Sequence, residues 1–449
     1  MSTCNFPQKT YSYKQIWQIA YPILLSVLME QLIGMTDTAF LGRVGEVELG
    51  ASALGGIFYI AIFMLGLGFS VGAQILMGRR NGEGRYAEIG NIFYHSIAFL
   101  LLMAVVLFTL TRQFGPVVLD AIISSPAVAE AAESYLNWRV FGYFFAFVTV
   151  MFRAFYVATT NTRTLTLNSL TMVMSNVVFN YILIFGKFGF PAFGIAGAAM
   201  GSALAECVSM VFFIIYTRTR IDYAKYGLNV CPRLRVNLLG HVLGISIWTM
   251  VQNFLSLATW FIFFLAVEHL GESDLATTNI IRNISSLTFM TVIALASTAS
   301  TLVSNLMGQG ELDSVAPMLR QTIKLGFMIL VPLMVLIGLF PDIVLGIFTN
   351  DRHLIEAGRA PLYVLMSSYI FTIPAQIYFH AVSGTGNTRI AMLMETVALA
   401  IYTLYVVVVI FHFKASLAVC WVSEHVYAAQ ALLYSWWYMR RGTWRSKKI

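Results

Sequence analysis

Long apolar runs broken by short polar punctuation fill this chain from end to end. Twelve runs are long enough to cross a hydrocarbon core of about 30 Å. They lie near 16–41, 50–77, 92–112, 132–158, 165–186, 194–217, 238–267, 275–306, 322–349, 357–383, 389–412 and 415–438. This pattern predicts an all-α polytopic membrane protein.

The punctuation repeats. "GEVELGASAL" (45–54) follows span 1, and "GESDLATTNI" (271–280) follows span 7, an offset of 226 residues. "RNGEG" (80–84) closes span 2 as "GQGE" (308–311) closes span 8. "TTNTR" (159–163) and "GTGNTR" (384–389) occupy matching loops. Three landmarks in one order predict two six-helix bundles. Six spans per half is an even number, so both halves share one orientation, a parallel internal repeat. The expected organisation is a first lobe over 1–217, a cytoplasmic linker over 218–237, a second lobe over 238–438 and a basic cytoplasmic tail over 439–449. A cavity between two such lobes is the usual place for a transported substrate.

Composition and charge sharpen this picture. The 449 residues are 58% hydrophobic and 11% charged, where a soluble domain is about one quarter charged. The net charge of +7 invites an acidic partner. Its placement argues otherwise. Nineteen Lys and Arg fall on the side of the termini and six on the opposite side (Arg43, Arg112, Lys187, Arg352, Arg359 and Lys414). Such a bias puts both termini in the cytoplasm, so the basic loops read as topology signals and nucleic acid is not an expected partner. The opening "MSTCNFPQKTYSYKQ" is polar, and the run after it is too long for the core of a signal peptide. Cys4, Cys207, Cys231 and Cys420 have neither metal spacing nor a paired pattern. "GLGFSVGAQ" lacks the lysine of a phosphate-binding loop, and His95, His241, His380 and His425 are scattered. No enzyme activity and no cofactor are expected. The partners are then the lipid bilayer and small molecules, with the chain acting as a monomer in a bacterial inner membrane. A channel would want charged rings from symmetric subunits; a single asymmetric acid suits a carrier.

That acid is Asp37, in "GMTDTAF" near the outer end of span 1. A bare carboxylate in lipid costs several kcal/mol or takes up a proton. Glu30 lies seven residues earlier, on roughly the same helix face. Asn176 and Asn180 are four apart and share a face, as do Ser202 and Glu206. Asparagine oxygens can ligate sodium, and asparagine amides can hydrogen-bond a carboxylate. Shifted by 226 residues, Asp37 falls on Phe263, Asn176 on Tyr402 and Asn180 on Val406. The polar set belongs to one half only, so the architecture does not require it. Gln252, Asn253, Gln376 and His380 are further cavity candidates. Arg282, Glu395 and Glu424 also fall inside spans, where any of them could pair across helices, for example Arg282 with an acid, a structural role as much to be expected as a functional one. Arg153 reads as a snorkelling or loop-anchoring residue. Pro22, inside span 1, favours a kink.

The stretch "PILLSVLMEQLIGMTDTAFLGRVGEVELGASAL" resembles the start of the multidrug and toxic compound extrusion (MATE) family. So do "FRAFYVATTNTR" and "SNVVFNYILIFGKFGFPAFGIAGAAMGSALAE" (175–206), with "NISSLTFM" (283–290) and "GTGNTR" as second-half counterparts. The resemblance runs over nearly the whole chain. It implies twelve helices in two bundles, exporting organic cations or drugs by alternating access against a proton or sodium gradient. It implies a coupling site at Asp37, Asn176, Asn180 and Ser202, with Asp37, Asn176 and Asn180 as sodium ligands if the ion is Na⁺. Glu30, Glu206 and Arg282 remain cavity or relay candidates. Some relatives place acids in helices 7 and 10, but here "WTMVQNFLSLATW" and "YIFTIPAQIYFHAVSG" carry no Asp or Glu. A lipid-linked precursor flippase of the same architecture is the alternative reading, and a non-transporting receptor a third.

Overall fold

The computed structural model describes residues 11–123, 125–230, 232, 233 and 235–447. Cys4, Lys9, Cys231 and Lys448, which entered the thiol and charge readings, lie outside the described residues. Every regular element among the described residues is helical. In chain order these are α1 Tyr13–Leu41, α2 Glu46–Gly82, α3 Tyr86–Ile122, α4 Pro126–Arg139, α5 Gly142–Ala158, α6 Arg163–Phe185, α7 Gly194–Arg220 and α8 Val236–Glu268. There follow α9 Glu272–Gln309, α10 Val315–Leu339, α11 Pro341–Gly346, α12 Arg352–Gly384, α13 Thr388–Val407, α14 Leu417–Trp421 and α15 Ser423–Arg441.

All twelve expected spans have a helical counterpart. Ten are helices long and apolar enough to cross a membrane. The fourth span is broken, with α4 and α5 meeting at a 52° bend after Arg139. The twelfth is also broken, between α14 and α15, and the polar run Ser423, Glu424, His425 opens α15. Span 9 was expected to run on to 349. The helix instead stops at Leu339, and Pro341 starts the short α11, a position where proline's missing N–H costs nothing. The kink expected at Pro22 does not interrupt α1, which is helical throughout Tyr13–Leu41.

The chain divides into two compact units. One holds Leu25–Met250; the other holds the chain before Leu25 together with Val251–Ile449. Helices α1 and α8 therefore each serve both. Ile16 and Ala20 of α1 are fully buried in a cluster with Phe263, Ile281 and Leu295, whereas Ser26 bonds Ser169 of α6 at 2.7 Å. In α8, Ser246 and Thr249 donate to the carbonyls of Phe69 and Gly68 on α2, at 3.0 and 2.6 Å. A Cβ on Gly68 or Gly72 would overlap α8, so this small-xxx-small pair sets the close approach.

Apolar burial gains little where lipid surrounds the helices, so packing and internal hydrogen bonds carry the load. In the Leu25–Met250 unit, Tyr59 stacks on Tyr143 at 4.9 Å and Phe152 on Phe213 at 5.5 Å. Tyr226 and Arg235 reach α3: Gly90 N–H donates to the Tyr226 carbonyl at 2.9 Å, and Arg235 N–H to His95 Nε2 at 2.7 Å. In the other unit, Trp444 of the basic tail is buried, and Arg445 pairs with Asp313 at 2.9 Å.

Candidate functional site

Within the Leu25–Met250 unit, α1, α6 and α7 bring Asp37, Asn176, Asn180 and Ser202 together. Asp37 sits in the last turns of α1. Its Oδ1 accepts from Asn180 Nδ2 at 2.5 Å and its Oδ2 from the Ser202 hydroxyl at 3.0 Å. Asn180 Nδ2 also donates to Asn176 Oδ1 at 3.1 Å. Asn176 Nδ2 donates to Ser202 Oγ at 3.1 Å, closing the ring. Both asparagines are fully buried, Ser202 nearly so, and Asp37 is half-buried. The four-residue spacing puts Asn176 above Asn180 on one face of α6. One polar atom of the ring has no partner: Asn180 Oδ1, sealed from solvent.

The approach of α7 to α6 depends on glycine. A Cβ on Gly201 would land on Asn180 Oδ1, and one on Gly197 would meet the Leu183 carbonyl. Replacing Gly201 by alanine is expected to push the Asn180 amide off Asp37. A lost hydrogen bond to a charged group is worth about 1.5–3 kcal/mol. Transport measured in proteoliposomes should fall by about tenfold or more, with the helical content unchanged by circular dichroism.

Other candidates are placed differently. Glu206 is held by Arg139 of α4, whose two guanidinium nitrogens donate to its carboxylate at 2.9 and 2.6 Å. Tyr59 donates to both oxygens at 3.1 and 3.0 Å, and the Arg139 guanidinium lies 3.6 Å from the Tyr59 ring centroid. Arg139 is also within electrostatic reach of Asp37. Glu30 pairs with Arg153 at 2.8 Å, so Arg153 turns to an acid on α1 where a snorkelling side chain was expected.

Gln252, Asn253, Arg282, Gln376 and His380 belong to the other unit. Arg282 does not pair with an acid as expected: among the described residues it forms no ion pair, and it rests 5.9 Å from the Trp260 centroid and 5.4 Å from that of Phe264. His380 Nδ1 lies 3.0 Å from the Gln376 carbonyl. Gln252 Oε1 is sealed without a partner, and Asn253 is half-buried. Among the described residues, no cluster of three or more His, Cys, Asp or Glu is placed to hold a metal.

Sequence reasoning missed Arg139 and Tyr59. Arg139 stood in view in "YLNWRVFGYFF", a cation inside an apolar run. Tyr59 carried no signal among 21 tyrosines. The Asn168–Ser209 pair, which exchanges bonds of 2.8 and 3.1 Å between α6 and α7, was missed as well. Asn168 lies two turns before Asn176, so the helical period alone pointed to it.

Comparison with known proteins agrees with the fold. The MatE family model matches twice, over residues 22–182 and 249–411, which together make up more than half of the chain. Those starting points reproduce the internal repeat. A probable multidrug resistance protein NorM of Thermotoga maritima is 26% identical over 414 residues, covering 91% of this chain and 88% of the relative. The probable multidrug resistance protein YoeA of Bacillus subtilis is 22% identical over 434 residues, covering 95% and 93%. Among solved structures, an outward-facing multidrug resistance MATE family transporter of the MOP superfamily has a TM-score of 0.88 at 17% identity, with 97% of each chain covered. A MOP superfamily transporter from Pyrococcus furiosus has a TM-score of 0.87 at the same identity and coverage. These neighbours share the twelve-helix fold. Two family matches in tandem over a chain of membrane-spanning helices identify this protein as a membrane transporter of the MatE family.

Proposed function

We propose that the protein is a secondary antiporter that exports organic cations, drugs among them, in exchange for protons carried by Asp37. The names of the NorM and YoeA relatives support the drug reading. One observation carries the choice of ion. Both oxygens of Asp37 accept from N–H or O–H donors, Asn180 Nδ2 and the Ser202 hydroxyl. A sodium ion takes oxygen ligands, and here one amide nitrogen, Asn180 Nδ2, and one hydroxyl, that of Ser202, donate to the carboxylate. The unpartnered Asn180 Oδ1 supplies what a protonated Asp37 needs. Rotation of that amide exchanges a donor for an acceptor, so one side chain serves both forms.

The cycle follows from charge. With Asp37 ionised, the site attracts a cation. Protonation from outside removes that charge and releases the substrate outward. Inward return delivers the proton and restores the carboxylate for the next cation. The lysine and arginine bias supports cytoplasmic termini, and the bacterial NorM and YoeA relatives support a bacterial membrane. A flippase for lipid-linked precursors has less support, since Arg282 is the main mid-membrane cation outside the first lobe for a phosphate headgroup.

Ethidium flux in proteoliposomes, with proton and sodium gradients imposed separately, tests the reading. Flux should follow the proton gradient and ignore sodium at fixed pH. Sodium-driven flux without a proton gradient would replace H⁺ with Na⁺ as the coupling ion, and a response to neither would sink the antiport reading.

A further inference from the structure

The unit built from Val251–Ile449 has acids of its own. Glu395 of α13 is 3% exposed. Ser256 of α8 donates to its Oε1 at 2.7 Å, and Tyr427 of α15 donates to Oε1 and Oε2 at 3.0 and 2.9 Å. Gln376 of α12 also reaches the Tyr427 hydroxyl. Glu424 stands one turn before Tyr427 on α15, beside Tyr402 of α13 and Ser423. The Tyr402 and Ser423 hydroxyls are more than nine-tenths buried, and Tyr402 faces both Ser423 and the Glu424 carboxyl.

The surroundings offer no counter-charge. Facing the two acids are Tyr427 and Glu424 from α15, Tyr402 from α13, Tyr369 from α12 and the neutral Ser256 of α8. The imidazoles of α12 and α15 are engaged elsewhere, His380 at the Gln376 carbonyl and His425 at Ser367. Among the described residues neither acid forms an ion pair. Carboxylates without counter-charge in a protein interior hold a bound cation or a proton. The groups around Glu395 are hydroxyl donors, which suit a carboxyl that gains and loses a proton better than a metal ion that needs several free oxygens.

We propose that Glu395, with Glu424 beside it, forms a second proton-binding site that is loaded and emptied in each transport cycle. The inference rests on the antiport reading above and adds a stoichiometry to it. One proton exchanged for one monovalent cation moves no net charge. Two protons inward for one cation outward move one positive charge inward, so transport becomes sensitive to membrane potential. The acids come from α13 and α15, which explains how the helices that read "WTMVQNFLSLATW" and "YIFTIPAQIYFHAVSG" can lack them: Ser256 and Gln376 supply only the setting.

Infrared difference spectra of the reconstituted full chain, taken on a pH jump, read protonation directly. With Asp37→Asn, a carboxylic C=O band should remain; adding Glu395→Gln should remove the Glu395 component of it and leave that of Glu424. An unchanged spectrum on adding Glu395→Gln overturns the proposal, and so does a band abolished by sodium at fixed pH. Glutamine keeps acceptors for Ser256 and Tyr427, and Tyr427→Phe is a second probe that should shift the same band while leaving the acid in place. In flux assays the wild type should export ethidium faster when potassium and valinomycin impose a potential, inside negative to the working orientation. Glu395→Gln should keep a response to the proton gradient but lose the response to potential. A variant as voltage-sensitive as the wild type overturns the stoichiometry. Should the wild type show no proton-driven flux at all, the antiport reading fails, while the infrared band still decides whether Glu395 binds a proton.

Discussion

Asp37→Asn is expected to reduce proton-driven ethidium flux to the leak of empty liposomes while leaving a folded, substrate-binding protein. Asparagine is nearly isosteric with aspartate, and its amide oxygen still accepts a bond from Asn180 or Ser202. What it loses is the charge and the proton. The stability change should therefore stay within about 1–3 kcal/mol, the worth of charge-assisted bonds. The pH dependence of binding carries the sign. In the wild type, raising the pH ionises Asp37 and strengthens attraction for a cation, so the ethidium dissociation constant should fall with rising pH. Contributions from other acids remain in the variant, but the part that belongs to Asp37 should vanish, leaving a flatter profile. Equilibrium binding by fluorescence, with flux on the same preparations, checks both halves. Full gradient-driven flux in Asp37→Asn would remove Asp37 from the coupling step. Asn180→Leu offers a graded comparison. It leaves the acid in place but strips one donor and the spare acceptor, so flux should fall by about tenfold or more without being abolished.

The helices were legible because they rest on periodicity, and Asp37 because of its cost; its partners were legible through the family resemblance. Twenty-residue apolar runs have few folded alternatives in a membrane, and a lone acid in one of them demands partners. The resemblance implied Asn176, Asn180 and Ser202, and helical spacing agrees by putting Asn176 and Asn180 on one face. What the sequence could not supply is which helix an unsuspected partner comes from. Arg139 is the last residue of α4, just before the bend into α5; read as one straight span, the stretch gives it no partner. The exchange of α1 and α8 between units was likewise hidden. Ile16, Ala20, Ser246 and Thr249 look like ordinary span residues until their neighbours are known. Pairing of Arg282 with an acid was a reasonable expectation from cost alone, but Trp260 and Phe264 provide aromatic faces for the guanidinium instead.

Removing Arg139 should be among the most destabilising single changes outside the glycines. Its guanidinium holds both oxygens of Glu206 and lies on the Tyr59 ring, with the two charged side chains only 11% and 8% exposed. Breaking such a pair from one side leaves an uncompensated buried charge, a cost of about 3–5 kcal/mol. Arg139→Ala should therefore lower the temperature of half-aggregation in detergent well below that of Asp37→Asn, or prevent insertion of folded protein. Arg139→Met with Glu206→Leu removes both charges together. Apolar replacement of a whole buried pair is often neutral, although the Tyr59 hydroxyl then loses its acceptor at about 1–3 kcal/mol; adding Tyr59→Phe removes that penalty. The triple variant should recover most of the lost stability. Its transport separates two roles for Glu206. The pair is neutral overall, so deleting it leaves the net charge near Asp37 unchanged. If Glu206 only holds α4 against α7, the triple variant should still carry proton-driven flux with the wild-type pH dependence. A stable triple variant with no proton-driven flux would instead put Glu206 on the proton's route, as one sequence-based reading allowed, and the ion pair with Arg139 would then be one state of a working carboxylate.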